Sequence, residues 1–176
     1  MKRIRLPSEA YEEGSTFSIT IVTANRLPFF EDDDIEATCL RHLRSAAERH
    51  GGEVYAYCFM PDHLHLLANV SAGNSLFEFV RHFKQLTSYE FRRRLGYEDQ
   101  GLWQRRFFDH TLRTDEAVET VAQYIWGNPV RAGLVSEQGE YPHWGSFIWD
   151  VGASGSKDPD LRGRDPPISS VVGAGL

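Results

Sequence analysis

The stretch Ala56-Tyr57-Cys58-Phe59-Met60-Pro61-Asp62-His63-Leu64-His65-Leu66-Leu67 carries two apolar runs broken by a turn signal. Proline presets φ for a turn, and an aspartate side chain hydrogen-bonds the backbone just beyond it, so Pro61-Asp62 predicts a tight connection. The runs on either side, Val54 to Met60 and Leu64 to Val70, predict two strands of one sheet. Successive side chains of a strand point to opposite faces. His63 and His65 therefore project from one face, about 7 Å apart along the chain, while Leu64 and Leu66 turn into a core. Two imidazoles side by side, clear of the apolar layer, form half of a metal site.

Working outward, Thr16 to Thr23 is β-branched and alternating, a first strand. Asp32-Asp33-Asp34 offers an acidic helix start, with Ile35, Cys39, Leu43, Ala46 and His50 at helical spacing and Gly51-Gly52 as the stop. Asn74-Ser75 caps a second helix whose buried stripe is Leu76, Phe79, Val80, Phe83 and Leu86, ending near Leu95 and Gly96. The segment 101–113 mixes aromatics with bases and ends as a fourth strand. Thr114-Asp115-Glu116 opens a third helix over Val118, Val121, Ala122 and Ile125, which Gly127-Asn128-Pro129 ends. The order βαββαβα predicts an α+β fold, a ferredoxin-like sandwich with an antiparallel sheet and helices packed mainly on one face. Residues 1–150 read as one domain and 151–176, rich in Gly, Ser, Pro and Asp, as a flexible tail.

Composition bounds the function. The 176 residues are 41% hydrophobic and 12% aromatic, which suits a packed core. Cys39 and Cys58 fall inside a helix and a strand and read as buried thiols. No apolar leader follows Met1-Lys2-Arg3 and no run reaches membrane-spanning length, so the expectation is a cytoplasmic protein with no membrane partner. The net charge of −6 argues mildly against indiscriminate nucleic-acid binding. The charge is segregated, however: from Arg81 to Arg106 there are seven Lys/Arg against Glu90, Glu98 and Asp99.

The third helix predicts the rest of the chemistry. At 100° per residue, Tyr124 lies at the border of the buried stripe, where a phenol can face a cleft. Asn128, four residues on, can sit beside it, about 5–6 Å away by Cβ, provided that Pro129 has not already bent it out of the helix. If this helix lies across the open face of the sheet, the Asn128 amide oxygen is a third ligand beside His63 and His65, and Tyr124 stands next to the cation. Such a set leaves open positions and suits Mg²⁺ or Mn²⁺ gripping a phosphate, although imidazole also suits Zn²⁺. A free phenol is a poor nucleophile, with a pKa near 10, and charge stabilisation at a scissile phosphate would offset this.

Three blocks in order carry a resemblance to a known family: Met60 to Leu67, Gly101 to His110, and Tyr124-Ile125-Trp126-Gly127-Asn128-Pro129-Val130-Arg131-Ala132-Gly133-Leu134-Val135. Together they resemble the single-tyrosine HUH transposases, and among these the REP-associated tyrosine transposases, over about Thr16 to Trp149. The resemblance implies a 5′-phosphotyrosine intermediate through Tyr124, a divalent metal held by His63, His65 and Asn128, and single-stranded DNA folded into imperfect palindromic hairpins as substrate and partner. Candidate DNA contacts are Arg26, Lys84, Trp103, Arg105, Arg106 and Arg131, with Arg105 and Arg106 beside Trp103, Phe107 and Phe108 reading as a strand grip with base stacking. Taken singly, a His-x-His in a strand, a rim tyrosine or an Asn before Pro is more often structural; their joint arrangement is what points to chemistry. Two alternatives stay open: a metal-dependent hydrolytic nuclease, and a catalytically inactive hairpin-binding protein on the same architecture. A homodimer and a monomer are equally compatible with the sequence.

Overall fold

Pro61 and Asp62 join two long antiparallel strands, β2 (Gly52–Met60) and β3 (His63–Val70), with Met60 opposite His63 and Cys58 opposite His65. The turn is pinned from outside. Thr23 donates to the Asp62 carbonyl through its backbone N–H and through its hydroxyl, both at 2.9 Å, and the Phe30 N–H donates to the Pro61 carbonyl at 3.1 Å. Strand β1 (Thr16–Val22) pairs with the other edge of β3, so that Thr20 lies opposite His65. With β4 (Phe108–Thr111) outside β1 and β5 (Trp144–Gly145) outside β2, the order is β4-β1-β3-β2-β5, antiparallel throughout.

This computed structural model describes residues 15–71, 73–95, 101–112 and 117–151. The 152–176 portion of the expected tail, the Thr114-Asp115-Glu116 helix opening and the Gly96 stop signal lie outside the described residues. No helix among those described is long and apolar enough to cross a membrane.

Two helices cover one face of the sheet, α1 (Asp33–Arg49) and α2 (Leu76–Leu95). Their Cys39, Leu43, Ala46, Leu76, Phe79, Val80 and Phe83 pack on Phe17, Ile19, Ile21, Phe59, Leu64 and Leu66. As expected from the acidic start, Asp32 caps α1, its carboxylate accepting from the Asp34 and Ile35 N–H groups at 2.9 and 3.2 Å. Gly51 ends it at φ +56°, a conformation that favours glycine. The third helix, α3 (Val118–Trp126), takes the opposite face, and its Ala122, Ile125 and Trp126 pack on Ala56, Cys58, Met60 and Leu67. The β2 register shifts between Val54 and Ala56, a bulge that lets strand residues 56, 58 and 60 serve this second cluster. Cys39 and Cys58 are buried free thiols.

One element was missed by the sequence reading, and two expected features are sharpened by the structure. The fourth strand is only Phe108–Thr111, because the chain before it runs inward: Trp103 bridges Thr23, and the Gln104 N–H donates to the Val22 carbonyl. A fifth strand, Trp144–Gly145, was not foreseen from its two residues; there the Trp126 indole N–H donates to the Gly145 carbonyl at 2.9 Å. Gly127-Asn128-Pro129 ends α3 at Trp126, as expected. Gly127 keeps helical angles (φ −78°, ψ −1°) and the chain makes a further turn, α4 (Asn128–Arg131), with Pro129 in its first turn, where a missing N–H costs nothing.

Candidate active site

His63 and His65 stand on the α3 face of the sheet, ring centroids 4.6 Å apart and nearly perpendicular at 86°. Their Nε2 atoms face each other at 3.0 Å. Each Nδ1 is held from behind: Asp62 Oδ1 lies 2.5 Å from His63 Nδ1, and Thr20 Oγ1 lies 3.2 Å from His65 Nδ1. A carboxylate only accepts, so His63 carries a proton on Nδ1, and in the neutral ring this leaves a bare Nε2 turned inward. His65 then donates from Nε2 while the Thr20 hydroxyl donates to its Nδ1. A hydroxyl also accepts, so moving one proton from Nε2 to Nδ1 of His65 frees a second lone pair without charging either ring. Burial, together with the neighbouring His63 and Arg131, lowers the His65 pKa to about 4, which keeps that imidazole neutral.

The supporting shell extends through Arg26, whose guanidinium donates to Asp62 Oδ2 at 3.0 Å. Burial pushes the Asp62 carboxyl up, but the bond with His63 and the charge of Arg26 hold it below its ordinary value. Asn25 and Arg26 both adopt left-handed backbone (φ 54° and 56°), an unusual pair for non-glycine residues and one that brings the Arg26 side chain to the turn. The sequence reading placed Asp62 only as a turn residue and overlooked Thr20. The signal was available in part, since a carboxylate next to an exposed strand histidine is a common orienter of that ring.

Tyr124 and Asn128 sit at the end of α3 and the start of α4, on the same sheet face as the imidazoles. The α3 stripe rests on Cys58 and Met60, the cross-strand partners of His65 and His63. Tyr124 is 61% exposed, so it is not a packing residue. Asn128, the first residue of α4, shares the Arg131 side chain with Tyr124 as a partner. Its Nδ2 donates to the Ile125 carbonyl at 3.1 Å and its Oδ1 accepts from Arg131 Nη2 at 2.7 Å. Arg131 also donates to the Tyr124 carbonyl and lies over the Tyr124 ring, 3.8 Å from its centroid. The Arg131 charge adds to the burial that lowers His65 and opposes the rise that burial gives the Cys58 thiol.

The donor set fits a cation. Two metal–nitrogen bonds of about 2.1 Å meeting at about 90° need nitrogens roughly 3.0 Å apart, the separation found here. Among the described residues no group of three His, Cys, Asp or Glu side chains converges. Three such side chains therefore do not supply the ligand set, which leaves positions beside the two imidazoles for other oxygen donors and substrate.

The remaining DNA-contact candidates divide. Trp103 is a correction: it is 7% exposed, wedged against Phe30 and Phe83, and donates its indole N–H to Thr87 Oγ1 at 2.8 Å, so it presents no face to a base. Lys84 is also turned inward. Its ammonium donates to the Gln104 and Arg105 carbonyls at 2.6 and 3.1 Å, and burial lowers its pKa to about 8. It fixes the 104–105 segment instead of reaching outward. Arg105 and Arg106 are exposed. Arg105 joins Arg81, Arg92, Phe77 and Tyr89 around an open groove of about 520 Å³ along α2, the helix that covers the other face of the sheet. Phe77 and Tyr89 are exposed aromatics at 44% and 63%.

This chain is 29% identical over 170 residues to a Haemophilus influenzae protein named "Putative REP-associated tyrosine transposase", covering 86% of this chain and 93% of that one. It is 25% identical over 142 residues to an Escherichia coli K12 REP-associated tyrosine transposase, covering 80% and 81%. Its fold is similar to that of a REP-associated tyrosine transposase solved bound to a REP hairpin, with a TM-score of 0.68 and 21% identity over 82% of each chain. The family model described as Transposase IS200 like matches residues 13–128, most of the sheet, all of α3 and both imidazoles. An antiparallel sheet carrying a paired His-x-His under a tyrosine-bearing helix, matched over that length, settles the family: the chain is a member of the Transposase IS200 like family.

Proposed function

We propose that this protein cuts and rejoins single-stranded DNA at palindromic, REP-like hairpins through Tyr124, with His63, His65 and Asn128 holding a divalent cation, Mg²⁺ or Mn²⁺. The observation that carries the reading is the pair of inward-facing Nε2 atoms, each ring braced at Nδ1, on the face that α3 crosses. Family membership and the names of the relatives support DNA as substrate, and the hairpin bound by the structural neighbour supports its folded form.

A cation in this site would neutralise charge at a scissile phosphate and make it a better electrophile. Tyr124 Oη attacks phosphorus: the tyrosyl P–O bond forms, the bond to the 3′ oxygen breaks, and the phenol proton ends on that oxygen. The products are a 5′-phosphotyrosine and a free 3′ hydroxyl. One ester replaces another, so rejoining is the reverse of cutting and needs no nucleoside triphosphate. The exposure of Tyr124 leaves its hydroxyl open to a strand. The α2 groove, with Arg81, Arg92 and Arg105 for phosphates and Phe77 and Tyr89 for stacking, would grip DNA away from the scissile bond.

The test is a denaturing gel of end-labelled hairpin DNA with Mg²⁺ or Mn²⁺. The wild type should give a protein-linked product that Tyr124→Phe abolishes while hairpin binding persists. Cleavage without an adduct would instead identify a hydrolytic nuclease, and a mobility shift alone an inactive hairpin-binding protein.

A further inference from the structure

Arg131 follows Gly127 by four residues, Asn128 by three and Tyr124 by seven, which brings its long side chain back along the helix. The planar guanidinium presents donors in a fixed fork and a flat face for stacking. Here it uses both. One edge donates to the Tyr124 carbonyl and to Asn128 Oδ1, the latter at 2.7 Å, while the face covers the Tyr124 ring at 3.8 Å.

The consequence for Asn128 is specific. Its Nδ2 is spent on the Ile125 carbonyl at 3.1 Å and its Oδ1 on Arg131, so the amide is fixed at both ends. Only the oxygen of an amide can ligate a cation, and a carbonyl oxygen keeps a second lone pair after accepting one bond. Without the guanidinium, only the Nδ2 bond to the Ile125 carbonyl is left to hold the oxygen outward.

Gly127 has ordinary helical angles, so the backbone does not demand glycine there. Space does. A Cβ at position 127 would lie 2.7 Å from Arg131 Nη1 and 3.3 Å from the Gln123 carbonyl oxygen. The first atom is the end of a flexible side chain, which an alanine would push aside.

We propose that Arg131 is a positioning residue that locks Tyr124 and Asn128 into one unit, and that Gly127 is its seat. This rests on the assignment of those two residues above, and it replaces the sequence-based expectation that Arg131 contacts DNA.

The experiment compares full-length wild type, Arg131→Lys, Arg131→Met and Gly127→Ala. Three quantities are read: the single-turnover rate of adduct formation, hairpin affinity over a range of salt, and the Asn128 side-chain amide resonances without metal or DNA. All three variants should form adduct about tenfold or more slowly, the loss typical of removing a group that orients a ligand. Lysine should not rescue, because it keeps the charge and loses the fork and the flat face. Hairpin affinity should stay within about twofold, with an unchanged salt slope, and the Asn128 amide pair should shift in every variant. Alanine is a better helix former than glycine, so Gly127→Ala separates displacement of the guanidinium from unfolding.

A fall in hairpin affinity for Arg131→Met, with a salt slope shallower by about one, would make Arg131 a phosphate contact and overturn the proposal. So would wild-type rates in Arg131→Met and Gly127→Ala, or unmoved Asn128 resonances. Failure of the wild type to form an adduct would instead remove the strand-transfer reading, and the amide resonances would still decide whether Arg131 locks Asn128.

Discussion

Two histidine pairs occupy this fold, and they differ in what stands behind the rings. His63 and His65 lie on the sheet with centroids 4.6 Å apart; His50 and His82 lie between α1 and α2 with centroids 5.4 Å apart. Proximity alone barely separates them. In the first pair both Nδ1 atoms are braced, by Asp62 and by Thr20, and both Nε2 atoms converge. In the second, His50 Nε2 and His82 Nδ1 are buried without a hydrogen-bond partner, and Arg49 and Arg81 add positive charge to the burial that already disfavours protonation. There Glu78 opposes only part of the positive charge felt by His50, whereas Asp62 puts an anion in direct contact with the first pair. A site for a cation is thus recognised by its orienting partners and local charge, not by two imidazoles meeting.

The largest effect expected from this contrast is catalytic. His63→Ala or His65→Ala should lower adduct formation at least about a hundredfold, since on the proposed reading each removes a ligand at the centre of charge stabilisation. His50→Ala or His82→Ala should leave the rate within about twofold. Equal losses in the two pairs, measured under single turnover with the fold checked by circular dichroism, would erase the distinction.

A smaller effect should follow from the braces. Asp62→Asn keeps the shape but weakens the acceptor at His63 Nδ1 and the bond to Arg26, and should cost about 10–100-fold in Mn²⁺ affinity. Thr20→Val removes the hydroxyl that serves either tautomer of His65 at a longer 3.2 Å contact, and should cost less. Calorimetric titration with Mn²⁺ gives the order directly; Thr20→Val costing more than Asp62→Asn would reverse the ranking of the two partners.

The same contrast explains what the sequence made legible. Strand alternation placed both imidazoles on the face opposite Leu64 and Leu66, because a period of two leaves no other choice once those leucines are buried under α1 and α2. Helical periodicity likewise put Tyr124 at the rim of α3, where it is exposed. Asp32 and the glycine after α1 delimited that helix from local chemistry alone. Contacts between segments far apart in the chain were hidden. Trp103 looked like a stacking platform beside Arg105 and Arg106, and only tertiary packing against Phe30, Phe83 and Thr87 makes it core. Lys84 looked like a phosphate contact until the chain returned two carbonyls to it. Thr20 has no local mark, since its role depends on the β1–β3 register.

The smallest effect concerns stability and acid. Burial is the first cause that lowers both His50 and His82 below the ordinary 6.5. Between 6.5 and those lowered values the unfolded chain binds protons that the folded chain refuses, so stability falls as pH drops through that window. His65, at about 4, acts in the same direction over 6.5 to 4. His82→Leu removes one of these groups together with a buried nitrogen that has no partner, and should raise stability by about 1 kcal/mol at pH 7. For a chain of this size that is about 2–4 °C in Tm. The advantage should widen from pH 7 to pH 5, because the variant loses a proton-linked penalty while His65 keeps its own. A Thr20→Val control should not flatten the acid limb in the same way, since it leaves His82 in place. If His82→Leu tracks the wild type in both Tm and acid slope, the His82 nitrogen has a partner after all, and the two pairs differ less than their geometry implies.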